Sequence, residues 1–320
     1  MGILVVGSIA LDDVSTPAGQ RQGILGGACT YFSTAASLYD RVSLVGVVGE
    51  DFPQEHVRFL SARDIDLRGL QVVSGRTFHW SGQYGEDLDE AQTLDTQLNV
   101  FGAFHPVIPD DLRDLEYVFL ANIHPELQIE VLEQMRAPRL TALDSMNYWI
   151  VSSREALTRA ISMVDLVLLN EAEVRMFAER ANLLDAAQYI LDLGPGAVII
   201  KRGQYGSMLV TRGERLGERL FIAPAYPVAN VVDPTGAGDT FAAGVMGYLA
   251  RCGEDSVAAL RRAVVNGTII ASFTVEDFSI DRLRTLEWSE VEARYNEFRH
   301  VTHFDGLTVE EMSPLTQRIC

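Results

Sequence analysis

The chain has 320 residues, 48% of them hydrophobic and 22% charged, with a formal net charge of −18. That length is enough for one large domain with a smaller insertion. The acidic balance argues against nucleic acid or an anionic membrane as partner, though not against a nucleotide held in one locally positive site. Three cysteines, Cys29, Cys252 and Cys320, form no Cys-x-x-Cys pair and leave an odd number, which suits a reducing cytoplasm better than a disulfide framework. No basic segment precedes the first apolar run, so it reads as a buried strand and not as a signal peptide, and no run reaches transmembrane length.

Residues 3–9 are continuously apolar and end in small residues, the pattern of a strand buried on both faces. Asp12 and Asp13 follow, then a polar segment over 15–22. Asp12, just past a strand end, reads either as a turn residue or as an acceptor for a hydroxyl. Gly26 and Gly27 precede a helical stretch in which Phe32, Ala35, Ala36 and Leu38 face inward; on the residues alone the glycines read as close packing. A second strand spans 42–49, and a short helix 53–63. Residues 72–99 break the pattern. Positions 77–84 alternate strictly, with Phe78, Trp80 and Tyr84 on one side, and 93–101 alternate more weakly after an acidic turn at 86–90. This predicts a β-hairpin set into an α/β chain.

From residue 114 the alternation of strand and helix returns. Strands are expected at 117–121, 140–144, 166–170 and 197–201, helices at 125–135 and 171–181, and a hairpin-like segment at 206–226. Units of this length build right-handed crossovers and a largely parallel sheet. Ligands of such sheets gather at the carboxyl ends of the strands, and Asp12, Asn170, Lys201 and Asp239 all fall there. Asn170 also reads as an ordinary N-cap with acids in the first helical turn. Gly203 and Gly206 read on their own as a routine turn. Of 26 basic residues only Lys201 is a lysine; it marks either chance or a place where a compact ammonium works and a planar guanidinium does not. The histidines show no metal-ligand spacing, and the tail over 290–320 receives no functional assignment.

The stretch that organises the chain is 231–244, Val-Val-Asp-Pro-Thr-Gly-Ala-Gly-Asp-Thr-Phe-Ala-Ala-Gly. Phe241, Val245, Tyr248, Leu249 and Cys252 recur at helical spacing, and Gly253 is a stop signal. A glycine-rich turn therefore opens a helix, where unpaired N–H groups and the positive end of the macrodipole favour an anion. Gly236 and Gly238 let that anion approach the backbone, and Asp239 places a carboxylate beside it. A helix cap alone does not need Gly-Ala-Gly, because serine or threonine would serve as well.

The string Asp-Pro-Thr-Gly-Ala-Gly-Asp-Thr-Phe-Ala-Ala-Gly resembles the second signature of the ribokinase-like (PfkB-type) carbohydrate kinases. Weaker matches run along nearly the whole chain: Asp12, Gly26-Gly27, Gly46-x-x-Gly49-x-Asp51, Asn170-x-x-Glu173 and the Gly203–Gly206 turn. The resemblance implies an α/β fold, a three-layer sandwich with a mostly parallel central sheet and a small β-sheet lid. It implies a single domain over 1–320, with lid segments at about 12–23 and 72–100. It also implies ATP and Mg²⁺ as cofactors and a sugar or polyol substrate bound by Asp12, Gly26, Gly27 and Tyr31. Asp239 would be the general base, and the backbone of Gly236, Ala237 and Gly238 the anion hole. Lys201, Gly203, Gly206 and Asn266 would lie on the nucleotide side, and Asn170 and Glu173 would hold Mg²⁺ through water. Asp233 and Thr235 match the positions of a monovalent cation, K⁺, although Pro234 replaces the common threonine.

Two departures bear on the substrate. Tyr31 stands where many members have asparagine, and Gly-Gly followed by Tyr resembles the branch that phosphorylates cyclitols; the loop after Asp144 lacks the arginine often found there. Cyclitol and nucleoside kinases stay open as alternatives, as does a non-catalytic regulator on the same fold; loss of Asp239 would be the simplest sign of the regulator. A homodimer through lid edges is compatible with the predicted hairpin. A dehydrogenase lacks its Gly-x-Gly-x-x-Gly after the first strand, and the position of the sole lysine excludes a P-loop.

Overall fold

The computed structural model describes residues 2–88 and 91–306. Part of the acidic turn and the end of the tail, Cys320 included, lie outside them. Thirteen strands form two sheets among the described residues: β1 (Ile3–Val6), β2 (Ala10–Thr16), β3 (Gly19–Gly26), β4 (Val42–Gly49), β5 (Asp66–Val73), β6 (Phe78–Tyr84), β7 (Ala91–Gln97), β8 (Tyr117–Leu120), β9 (Leu140–Asp144), β10 (Leu166–Asn170), β11 (Ala197–Lys201), β12 (Ser207–Thr211) and β13 (Leu220–Ala223).

Nine strands build the main sheet in the order β13-β12-β11-β10-β9-β8-β1-β4-β5. Pairing is parallel from β11 to β5 and antiparallel for β11–β12 and β12–β13. Alternate side chains of the central strands enter two separate cores. Ile3, Val5, Phe119, Leu168 and Ile199 join Phe241, Val245 and Ile269 on one face. Leu4, Val6, Leu120, Leu169 and Ile200 join Leu157, Phe177 and Ile190 on the other. Helices cover both faces, which explains why these strands read as unbroken apolar runs.

The second sheet, in the order β3-β2-β6-β7, is small and mixed. β2 pairs parallel with β6, and the outer pairs are antiparallel. Its chain segments differ from the sequence expectation. Val72 and Val73 still pair with Val48 and Gly49 in the main sheet, so the second segment begins only at Phe78. The first segment is longer than expected, from Ala10 to Gly26, because β3 is largely exposed and its polar residues hide it from a search for alternation. The predicted 171–181 helix is shorter, Glu171–Ala178, and stops at Glu179 in the left-handed conformation. The signature helix runs Ala237–Cys252 and ends at Gly253 with φ 65°.

Candidate active site

Asp239 lies in the first turn of the signature helix, partly open to solvent. Its carboxyl is pushed up to about 7, chiefly by burial and by Asp144, while Lys201 and its own N–H pull it down. The turn before it is tight. Gly236 has φ 75°, and a Cβ there would stand 2.3 Å from the Tyr31 ring. Tyr31, at 2% exposure, is thus a wedge beneath the loop. The Thr240 N–H donates to the Gly236 carbonyl and the Ala237 N–H to the Pro234 carbonyl. The expected anion hole therefore changes: Ala237 closes the turn, whereas the N–H groups of Gly236 and Gly238 make no hydrogen bond within the described residues.

On one side of Asp239 stand the residues expected to meet an acceptor. Asp12 is 3% exposed, its Oδ1 has no partner, and its carboxyl is raised to about 8 by burial and by Asp233, Asp13 and Asp239. It lies flat on Gly26, where a Cβ would come 1.8 Å from Oδ2, and the Gly27 N–H helps to hold it. Gly27 itself, at φ 90°, packs on the backbone of Ser8, Ile9 and Ala10. Both glycines are thus required for space. The Tyr31 hydroxyl is buried without a partner, and burial with Asp233 and Asp12 nearby raises it well above its ordinary value. Asp233 is fully buried; Oδ1 accepts the Thr235 N–H at 2.9 Å and Oδ2 the Ser279 N–H at 3.3 Å. The sequence did not single out Tyr84 for this site. It reaches from β6 to place its hydroxyl 3.2 Å from Thr235 Oγ1. Asp12 pairs across the small sheet with Trp80, so Asp12, Trp80 and Tyr84 share the face turned to Asp239. The Trp80 ring lies over Gly82.

On the other side, β9, β10 and β11 deliver Asp144, Asn170 and Lys201 from their carboxyl ends. Asn170 and Glu173 form a reciprocal capping box, with Asn170 N to Glu173 Oε2 at 2.7 Å and Glu173 N to Asn170 Oδ1 at 2.8 Å. Glu173 is 6% exposed and raised to about 7; burial and Asp144 raise it and Lys201 opposes them. Burial pulls the Lys201 ammonium down, Asp144 and Glu173 push it up, and the net shift is upward. Lys201 bonds Asp144 Oδ2. Gly203 faces open space, while a Cβ on Gly206 would run into the Ala223 carbonyl. Asn266, expected on the nucleotide side, is 7% exposed. Its Nδ2 donates to the Arg262 carbonyl and its Oδ1 accepts from Tyr39, so its amide is used within the helix layer.

Residues 3–277 match the model of the pfkB family carbohydrate kinases. The chain belongs to that family. The kinase is 30% identical over 253 residues to the cytidine kinase of Thermococcus kodakarensis, covering 78% of this chain and 88% of that one. The Burkholderia thailandensis nucleoside kinase, solved with inosine, superposes with a TM-score of 0.76 at 19% identity, over 92% of this chain and 98% of that one. The aminoimidazole riboside kinase of Salmonella enterica, solved with its riboside and an ATP analogue, gives 0.72 at 20% identity, over 92% and 100%. The fold is thus that of the ribokinases, and the enzyme is a phosphotransferase with a hydroxyl acceptor. No helix among the described residues is long and apolar enough to cross a membrane.

Proposed function

We propose that this kinase moves the γ-phosphoryl group of ATP to a hydroxyl of a sugar-bearing small molecule, with a nucleoside the favoured acceptor. The observation that carries the reading is the position of Asp239 between two groups of side chains. Asp12, Tyr31, Asp233 and Tyr84 stand on the acceptor side, and Asp144, Glu173 and Lys201 on the phosphate side. The unpartnered Asp12 Oδ1 and Tyr31 hydroxyl are what polyol hydroxyls would satisfy. Trp80 on the same sheet face offers a flat apolar surface suited to a base, which, with the cytidine and nucleoside kinase relatives, favours a nucleoside over a free sugar or cyclitol. The small sheet acts as the lid.

Asp239 takes the proton of the acceptor hydroxyl. That oxygen bonds to the γ-phosphorus as the bond to the β,γ-bridging oxygen breaks, and ADP leaves. The Gly236 and Gly238 N–H groups stabilise the charge on the transferred group. Three carboxylates, Asp144, Glu173 and Asp239, share one ammonium, so the phosphate side fits added positive charge. Asn170 and Glu173, at the mouth of this side, would hold Mg²⁺ through water. Mg²⁺ there would supply charge neutralisation on the phosphates. Asp233, buried and without an ion pair among the described residues, supports K⁺ beside Thr235.

The test is ADP release with Mg²⁺ and K⁺ across nucleosides, sugars and inositols, for the wild type and Asp239→Asn. A nucleoside should stimulate release in the wild type, and the substitution should lower kcat by about 10²-fold or more. Stimulation by a free sugar alone would reject the nucleoside. Turnover that survives Asp239→Asn would reject the base, and silence with ATP bound would favour a regulator.

A further inference from the structure

Asp144 closes β9, and among the described residues its carboxylate bonds only the N–H of its own turn and Lys201. Its Oδ1 accepts the Ser145 N–H at 2.8 Å, and its Oδ2 accepts from Lys201 Nζ. The two side chains are 5% and 17% exposed. They arise on β9 and β11 and meet across the end of β10, which lies between them. Nζ stands 3.3 Å from the position of a Cβ on Gly238, at the mouth of the signature helix beside its open N–H groups. An ammonium has three tetrahedral donors. Asp144 takes one, and no hydrogen bond within the described residues takes the other two. Residues 145–149, Ser-Met-Asn-Tyr-Trp, bring no cation of their own to this strand end. Arginine fills every other basic position of the chain, but a planar fork anchored on Asp144 would spread across Gly238 instead of standing over it. A compact ammonium with a fixed anchor and two spare donors is suited to a tetrahedral anion.

We propose that Asp144 is a positioning residue for phosphoryl transfer: it holds the Lys201 ammonium over Gly238 so that the two spare donors meet the γ-phosphoryl group. The inference rests on the ATP-dependent transfer proposed above. Asp144 acts through Lys201 and does not itself touch the nucleotide.

The experiment measures ATP and ADP affinity by calorimetry with no acceptor present, and kcat and KM with the best nucleoside of the panel. It compares the wild type with Lys201→Met, Asp144→Asn and the double variant. Each single substitution should lower the ratio of ATP to ADP affinity by about tenfold and kcat by roughly 10–100-fold, as for loss of a charge-assisted contact to a developing anion. The acceptor KM should stay within about threefold. The double variant leaves neither charge buried alone and should match Lys201→Met. An unchanged ATP to ADP ratio in Lys201→Met, or a further loss in the double variant, would overturn the proposal. If Asp144→Asn does not fold, the double variant set against Lys201→Met decides alone. If the wild type binds ATP yet turns over no acceptor, the kinase reading fails, while the affinity ratio still tests the Lys201 contact.

Discussion

Gly236 meets two demands at once, a left-handed φ of 75° and the Tyr31 ring where its Cβ would be. Gly23 has a similar φ of 60° with nothing within 4 Å of its Cβ position, so it isolates the backbone part of the cost. Gly23→Ala should lose about 1–2 kcal/mol of stability. Gly236→Ala should lose more and should also lose activity, because relief requires Tyr31 or the loop to move. Melting curves with kcat for both variants check this; equal losses would mean that the ring yields freely. The glycines, Asp239 and Asn170 were legible in the sequence because local spacing encodes a turn or a cap. Tyr31 as a wedge was not, since nothing nearby in sequence marks the loop it supports, 205 positions on. The bond between Asp144 and Lys201, 57 positions apart, was hidden for the same reason. Asn266 was placed by resemblance, and its bond to the Tyr39 hydroxyl, 227 positions away, is equally invisible to local spacing.

Among the described residues one hydrogen bond joins the small sheet to the signature loop, between the hydroxyls of Tyr84 and Thr235, 151 positions apart. A neutral hydrogen bond contributes about 0.5–1.5 kcal/mol, which sets the size of the expected effect. Tyr84→Phe should raise the acceptor KM by about 2–10-fold and leave Tm within about 2 °C of the wild type. Loss of thermal stability with an unchanged KM would make the contact purely structural. Strict alternation revealed β6 because Phe78, Trp80 and Tyr84 fall on one of its faces. β3 escaped notice because Gln20, Arg21 and Gln22 leave both of its faces exposed there. β5, at the edge of the main sheet, leaves Val72 and Val73 exposed, and an exposed apolar pair at a sheet edge reads as the start of something new.

Across the whole molecule, each buried carboxyl that resists ionisation couples folding to pH. Asp12 and Asp239 titrate near 4 in an unfolded chain but near 8 and 7 in the folded protein. Between those limits the folded state holds more protons than the unfolded one, so stability falls as pH rises. Tm should be higher at pH 6 than at pH 8.5, by at least about 2 °C, and Asp12→Asn should flatten the slope. A Tm that rises over this interval would contradict the burial of these charges.

The register of the small sheet has a mechanical consequence. Ala10 pairs with both Gly26 and Phe78, and His79 with Gln97. The chain thus enters β2 and β6 and leaves β3 and β7 along one row, and among the described residues the opposite end meets the signature loop through side chains. A plate attached in this way would turn about its attached row, as a door about its jamb. Tyr84 lies six residues beyond Phe78, roughly 20 Å from that axis, so a swing of about 10° carries its hydroxyl about 3.5 Å, farther than a hydrogen bond reaches. The contact with Thr235 would therefore register small angles: it would be lost almost as soon as such a plate began to open.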